Sequence, residues 1–462
     1  MKNSPLFRLV SSFGPIEQRE AGKFLRSPFF NTRHDLVLLF EYLLNENAPE
    51  KEPAWAASAG KGKAYDEQKC RLMMSYLHKL LEQYLVIKEV QKEGLENRLR
   101  LLRAYRQKGM ATALERSAAS LKKVLEKQPL RDTKYLAAKY GYLLEHNRSV
   151  IANDPTNATF RHQMESTLDA LYLSTRLRLI CESISQQGVY SVGEDGSIDE
   201  GFIALAEKKE WKDMPAVSTY LHCFYMLSQP DNEAHFQVFK KDLLALDGQL
   251  AAEEMRGLYL MAVNYCIRRL NEGEGRYSAE IFDLYKPGIE SGYLLENGVL
   301  SRFTYHNIAA AGLKTGALEW VRQFIHEHKN SLERRYRESS FSFNLARLEY
   351  ARRRFDTVLE LLQKANYRDP LLNLSAKTLL LKTYYELAEY DLLQSHLDAM
   401  RNYIRRKRVI GYHKKNYLNI VRFAEKLLRV NFLDKKEVAK LRKAVLEEEV
   451  LTEKEWLLGW LG

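Results

Sequence analysis

The chain has little of what staples, breaks or kinks a polypeptide. Cysteine occurs only 4 times in 462 residues, at Cys70, Cys181, Cys223 and Cys266, with no C-x-x-C spacing. That sparsity excludes a disulfide-stapled secreted scaffold and leaves each thiol as a buried side chain in reducing surroundings. Proline (11) and glycine (23) are few enough to exclude collagen-like and low-complexity disordered chains. No window approaches the ~18 uninterrupted apolar residues of a spanning helix, so no membrane span is expected. The stretch Met1–Val10 meets charge at Lys2 and Arg8 before an apolar run builds, so no secretory leader is expected and the predicted location is cytoplasmic.

Local signatures of chemistry are equally sparse. His326 and His328 are two apart, so a helix sends them to different faces, and neither completes H-E-x-x-H. The adjacent pair His222-Cys223 cannot easily turn both side chains to one ion. Gly60-Lys61-Gly62-Lys63 lacks the second half of a phosphate-binding loop and has no strand before it. Neither G-x-G-x-x-G after an apolar run nor G-x-S-x-G is present, and Glu447-Glu448-Glu449 reads as a solvated acidic run. The expectation is a chain without catalytic, cofactor-binding or metal-ligating residues and not an enzyme.

What the sequence does have is helical periodicity along most of its length. From Asp66 to about Val90, Leu72, Met73, Tyr76, Leu77, Leu80, Leu81, Tyr84 and Leu85 recur at three and four, which predicts a broad apolar stripe on a long helix. Breaks at Gly109, Gln128-Pro129 and Asn153-Asp154-Pro155 separate further helices at about 96–108, 110–127, 131–149 and 158–187, with Leu101, Leu102 and Tyr105 facing inward in the first. Helices are also predicted at about 202–211, 215–228, 232–247 and 250–270. Another, at 276–295, is expected to bend or split at Pro287-Gly288.

The expected organisation is a small N-terminal helical unit (1–45), a linker (46–65) marked by Pro49, Pro53, Gly60 and Gly62, and a helical-hairpin region (66–187). A polar loop (188–201) follows, where Val189, Tyr190 and Val192 alternate weakly, then a helical region (202–300), repeats (301–400) and a basic C-terminal cap (401–462). In the N-terminal unit Ser27-Pro28-Phe29-Phe30 is expected to staple the second helix rather than stand out as an aromatic knob.

The clearest internal signal lies between 303 and 400. Three two-helix units turn near Thr315-Gly316, Arg353-Arg354 and Leu387-Ala388, and aligning Leu318, Phe355 and Tyr390 gives spacings of 37 and 35 residues. Both are solenoid-repeat periods. Small Ala309 and Ala346 let the first helices pack closely, and Phe355 or Tyr390 after the turn is expected to wedge between units. Val358, Leu362 and Ala365 then form the inner stripe of a second helix.

In this order Leu345, Ala346, Phe355, Ala365 and Pro370 resemble the tetratricopeptide repeat, with its leucine and small residue, aromatic after the turn, alanine, and closing proline. The units depart from that pattern in lacking a leading tryptophan, in replacing the turn glycine of Gly316 and Gly109 around Arg353 and Leu387-Ala388, and in carrying Val358 or Leu393 for alanine. The resemblance implies an all-α fold of antiparallel helical hairpins stacked as an α-solenoid.

Charge is concentrated in one place. The net charge is +11, and residues 401–430 hold Arg401, Arg405, Arg406, Lys407, Arg408, Lys414, Lys415, Arg422, Lys426 and Arg429 against a single acid, Glu425. A helix over about 401–429 would align Arg401, Arg405 and Arg408 on one face, with Tyr403 and Tyr412 available for stacking. These ten residues are the candidate contact for an anionic partner; the alternative is a solvated face whose stems cover apolar surface. Two last helices at about 434–447 and 451–460 follow, the second opened by a capping-box pattern, Thr452 and Glu455, with Trp456, Leu457, Leu458 and Trp460 covering the end of the array.

The functional expectation is a noncatalytic scaffold with a protein or peptide partner. An RNA- or DNA-associated array using the basic window is the alternative, and an enzyme of unrecognised type the third reading.

Overall fold

The computed structural model describes the chain apart from residues 60–63, 93, 191–199, 247, 365–366, 368 and 407–411, and apart from the side chains at 153, 187–190, 364 and 412. The lysine-glycine run at 60–63, Val192, Ala365, Lys407 and Arg408 therefore lie outside the described residues. The chain falls into two compact units, Met1–Tyr172 and Leu173–Gly462, and is almost entirely α-helical, with successive helix pairs in contact.

The first unit holds α1 (Pro5–Ser12), α2 (Pro15–Leu25), α3 (His34–Asn45), α4 (Lys51–Ala59), α5 (Glu67–Lys92), α6 (Gly94–Gln107), α7 (Ala111–Lys127), α8 (Thr133–Asn153) and the start of α9 (Arg161–Tyr190). The first five share one core. The stretch expected as a linker contains α4, whose Ala54 and Trp55 are buried in that core. Pro53 fits there because it sits in the first turn, where an amide donor has no helical acceptor. The stripe on α5 is narrower than its leucines suggest: Cys70, Met73, Leu77, Leu81 and Tyr84 are buried, whereas Leu72 and Tyr76 stand about half exposed. On α6 the inward residues are Leu99 and Leu102, with Leu101 turned out. Phe30 stacks on Phe24 at 4.4 Å as the staple, while its neighbour Phe29 is exposed.

A buried carboxylate ties α6 to α8. Glu145 receives Arg106 at 2.8 Å, Arg148 at 3.1 Å and Arg103 at 3.3 Å. Burial works against its charged form, but the three guanidinium groups prevail and hold its pKa below the ordinary range.

The second unit continues with α10 (Glu200–Ala206), a single 3-10 turn at Lys209–Trp211, α11 (Pro215–Ser228), α12 (Glu233–Ala245), α13 (Ala252–Asn271) and α14 (Tyr277–Glu290). A two-residue hairpin, β1 (Leu295–Glu296) and β2 (Val299–Leu300), leads to α15 (Arg302–Lys314), α16 (Leu318–Glu327), α17 (Arg337–Ala351), α18 (Phe355–Lys364), α19 (Pro370–Glu386) and α20 (Tyr390–Arg406). The chain ends with α21 (Tyr412–Arg429), α22 (Lys435–Glu447) and α23 (Lys454–Leu461).

Two further expectations need correction here. Pro287 does not split α14, because it lies in the last turn, where few helical bonds remain to be lost. The helix foreseen over 401–429 is two elements, since α20 runs on from Tyr390 to Arg406 and α21 begins at Tyr412. The hairpin, the only strand pair among the described residues, sits at Asn297-Gly298; both residues have positive φ (51° and 79°), as a two-residue turn of matching twist requires. Pro370 both follows one unit and opens the next, preceded by Asp369, whose carboxylate accepts from the amides of Leu371 and Leu372.

The repeat register is visible in the backbone. Leu318, Phe355 and Tyr390 each start the second helix of a pair. Two residues before each, Gly316, Arg353 and Ala388 are left-handed, with φ of 77°, 59° and 57°. All three turns make the same two closing bonds, from Gly316 to Leu313 and Ala317 to Gly312, from Arg353 to Tyr350 and Arg354 to Glu349, and from Ala388 to Tyr385 and Glu389 to Tyr384. These satisfy the last carbonyls of each first helix. The wedge falls three residues later than expected: Tyr390 is 51% exposed, while Val321, Val358 and Leu393, and one turn on Ile325, Leu362 and Leu397, are all buried. First helices lie beside first helices, α15 on α17 and α17 on α19, with the second helices interposed behind.

Close approach is tightest at Gly312, where a Cβ would collide with the branched Val321 and sit 3.1 Å from Phe282. Gly312→Ala is expected to cost about 1–3 kcal/mol through overpacking, read as a lower urea midpoint. The opposite result is expected for Ala388→Gly. Relief of the left-handed penalty, about 1–2 kcal/mol, exceeds the added unfolded-chain entropy, about 0.5–1 kcal/mol, so the midpoint should rise.

Candidate functional site

The basic window divides between two helices and is partly neutralised. Arg401 on α20 is held by Asp398 at 2.8 Å and by Glu425. Arg422 on α21 meets Glu448 at 2.6 Å, and Lys415 reaches the same carboxylate at 3.9 Å. The guanidinium of Arg422 and the amine of Lys426 lie over Phe423. Arg405, Arg406, Lys414 and Arg429 are exposed and make no ion pair with the described residues. Tyr403 is half-buried against the core beneath α20 rather than free for stacking. His222 and Cys223 part company as expected: Cys223 is buried with its thiol 3.6 Å from the sulfur of Met261, while His222 opens to a cavity.

A second set of residues, not singled out by the sequence reading, collects on the face shared by the first helices of the repeats. On α15, Arg302 pairs with Asp369 at 3.0 Å and lies over the ring of Tyr336 at 4.0 Å. One turn on, His306 accepts at Nδ1 from the amide of Asn344 on α17, at 3.0 Å. An amide nitrogen only donates, so the imidazole is neutral with its proton on Nε2. Burial, then the positive fields of Arg347 and Arg302, push the His306 pKa down to about 4. Arg347 points its guanidinium at the His306 carbonyl (3.3 Å) and at Asn344 Oδ1 (3.5 Å), and burial depresses its pKa.

On α19, Lys382 binds Glu453 at 2.7 Å and lies over the Tyr350 ring at 4.6 Å; the Tyr350 hydroxyl donates to Glu386 at 3.1 Å. Ser375 and Tyr417 share a hydrogen bond of 3.0 Å between α19 and α21.

The repeat register would have found this set. Counting 37 and 35 residues along the chain makes Ala310, Arg347 and Lys382 equivalent positions of successive first helices. The residues are ordinary in isolation; only their shared register marks them as one row.

The C-terminal helix meets the same row. Thr452 and Glu455 form no capping box: the N-cap of α23 is Glu453, left-handed at φ 56° and without a side-chain cap bond, because its carboxylate is committed to Lys382. Glu455 reaches Lys314 on α15 at 3.1 Å, and the indole of Trp456 donates to Glu386 at 3.2 Å. Leu457 and Leu461 are buried in a core shared with α21 and α22.

A cavity of about 620 Å³ lies apart from this row, lined in part by Trp211, Ser218, His222, Tyr225, Asp242 and Leu246. His222 Nδ1 is hydrogen-bonded to Asp242. Burial and the bond from its hydroxyl to Glu207 push the Tyr225 pKa up to about 12. The Ser218 hydroxyl is engaged with the Met214 carbonyl at 3.2 Å, so the histidine has an orienting acid but no hydroxyl bonded to it among the described residues.

The His306 environment has a pH signature. Between its ordinary 6.5 and about 4 the unfolded chain takes up a proton that the folded imidazole refuses. Stability is therefore complete above that window, falls as pH drops through it and levels off below. Urea midpoints measured from pH 7 to pH 4 should fall more steeply for the wild type than for His306→Gln; parallel curves would contradict the assignment. No family model matches the chain, and no curated protein sequence matches it.

Proposed function

We propose that this protein is a noncatalytic interaction scaffold that presents a helical-repeat surface to a protein or peptide partner. The observation that carries the proposal is the row of polar and cationic side chains contributed by consecutive first helices, half-buried His306, Arg347, Tyr350 and Lys382 with buried Asn344 among them. A stack of two-helix units buries its apolar residues between neighbours, and the face left over is extended rather than pocket-like. The 303–400 units then belong with degenerate tetratricopeptide-like repeats, whose turn glycine is replaced by left-handed Arg353 and Ala388. Among the described residues no helix is long and apolar enough to cross a membrane, which accords with a partner met in an aqueous compartment.

Lysine-directed crosslinking of the full-length chain in native extract, read by mass spectrometry, tests this reading. One recurrent protein crosslinked at Lys314, at the rim of the first-helix face, is the expected outcome. Crosslinks scattered without preference, together with robust turnover of a small substrate by the purified chain, would sink it.

The second reading, nucleic-acid association, draws on exposed Arg405, Arg406, Lys414 and Arg429, which have no carboxylate partner among the described residues. It expects binding that weakens steeply with salt and drops further in an Arg405→Glu, Arg406→Glu variant. Binding indifferent to both would remove it.

A further inference from the structure

The exposed cations of α21 do not form one patch. Lys414 stands in its first turn and Arg429 in its last, 15 positions on, which a helix converts to about 22 Å. Arg429 belongs instead to the joint of α21 and α22, where Lys426, Lys435, Lys436 and Lys440 are exposed as well. Among the described residues no carboxylate pairs with Arg429, Lys435, Lys436 or Lys440. Residues 426–440 hold five basic side chains against two acids, and both acids are turned onto backbone. Asp434 accepts from the amides of Lys436 at 2.9 Å and Glu437 at 3.3 Å, and Glu437 accepts from the amide of Asn431 at 3.3 Å.

At the apex of this joint the chain exposes side chains that it buries elsewhere. Leu433 is 92% exposed and Phe432 48%. Local hydrogen bonds build that exposure in. The Asn431 side-chain oxygen accepts from the Leu433 amide at 3.0 Å, and the Asp434 amide donates to the Asn431 carbonyl at 2.9 Å. Val430 before the turn and Leu441 after it are buried in the core of the C-terminal helices. With both roots held there, the turn directs Leu433 away from that core. A fully hydrated leucine carries a free-energy cost that burial of its side chain relieves, so the tip is shaped for an apolar phase outside the chain.

We propose that the joint of α21 and α22 is a peripheral membrane contact. Leu433 and Phe432 enter the interface of a bilayer containing anionic lipid, while Arg429, Lys435, Lys436 and Lys440 meet its headgroups. Cations alone would suit any polyanion, and an apolar tip alone would suit any apolar surface. An anionic bilayer answers both, because its acyl chains lie directly beneath a plane of negative charge. Lysine fits that plane, since its stem lies along apolar surface while the amine stays at the headgroups. A nucleic acid strand has phosphates for the cations but no apolar phase to receive Leu433. The contact inserts side chains and requires no spanning helix. It uses a surface separate from the first-helix row and is independent of the scaffold reading.

Sedimentation of the full-length chain with vesicles tests the proposal. The chain is expected to pellet with vesicles of phosphatidylcholine and phosphatidylserine, to stay in solution with phosphatidylcholine alone, and to be released as salt rises. Leu433→Asn should lower the partition coefficient on anionic vesicles by about tenfold. The double variant Lys435→Gln, Lys436→Gln should lower it by about tenfold as well. These positions are exposed, and thermal melts matching the wild type check that the variants fold. Soluble glycerophosphoserine should not compete, since it presents the charge without acyl chains. Insertion is read from Leu433→Cys carrying an environment-sensitive fluorophore, a selective label because the four native cysteines are buried. Its emission should move to shorter wavelength on anionic vesicles.

Equal pelleting of Leu433→Asn and wild type, or an unshifted fluorophore on vesicles that do pellet the protein, would show attraction by charge alone, of the kind a nucleic acid also exerts, and overturns the proposal. Displacement by glycerophosphoserine assigns the cations to a free anion and overturns it too. Equal pelleting with neutral vesicles removes the role of the lysines, and no pelleting with anionic vesicles removes the contact altogether; either result overturns the proposal. The scaffold reading is decided separately, by its own crosslinks.

Discussion

A helix pair with one apolar stripe cannot bury that stripe against itself, and most of this molecule follows from that shortage. Between Arg302 and Arg406 each pair completes its core with its neighbours: Val321, Val358 and Leu393 recur as buried residues at the register of the repeat, and α23 adds Leu457 and Leu461 to the core it shares with α21 and α22. Such packing demands that every turn return the chain at the same angle. The left-handed residue at Gly316, Arg353 and Ala388 does so with the same pair of hydrogen bonds each time, even where the side chain makes it costly. That arginine and alanine are kept in a glycine conformation shows that packing between pairs outweighs local backbone preference.

Because the cores lie between pairs, polar side chains on the first helices are left to line up with one another. A position that is alanine in one unit, Ala310, is arginine in the next and lysine in the third, and all three are half-buried on the first-helix face rather than inside a core. The row they make is half-buried by its neighbours rather than by its own helix, which is why its charges are desolvated enough to depress His306 and Arg347. The same logic appears in the first unit in closed form, where Glu145 and its three arginines satisfy one another and leave nothing for a partner.

Helix positions, the breaks between them and the 37- and 35-residue spacing were legible in the sequence, since they depend on local periodicity and on glycine and proline at joints. Less legible were features whose cause lies across the fold. Pro53 and its neighbours suggested a linker, yet Trp55 finds a core to enter. Thr452 and Glu455 had the spacing of a capping box, but the carboxylate of Glu453 had a better partner in Lys382. The Asn297-Gly298 turn carried a readable signal that helical periodicity on either side obscured. The basic window was conspicuous as a run of residues, but the run crosses from one helix to another, and Glu425 and Glu448 answer part of it.

The sequence by itself determined that the chain is helical, where most helices start and stop, and that three units between 303 and 400 share a register, because each of these depends on interactions within about one turn of the chain. Only the tertiary structure decided which charges are spent and which are left over. Arg401 and Arg347 look alike as residues; one is answered by a carboxylate 24 positions away and the other only by neutral oxygens. That difference is set by the packing of helices against one another, through distances in space that sequence separation does not encode.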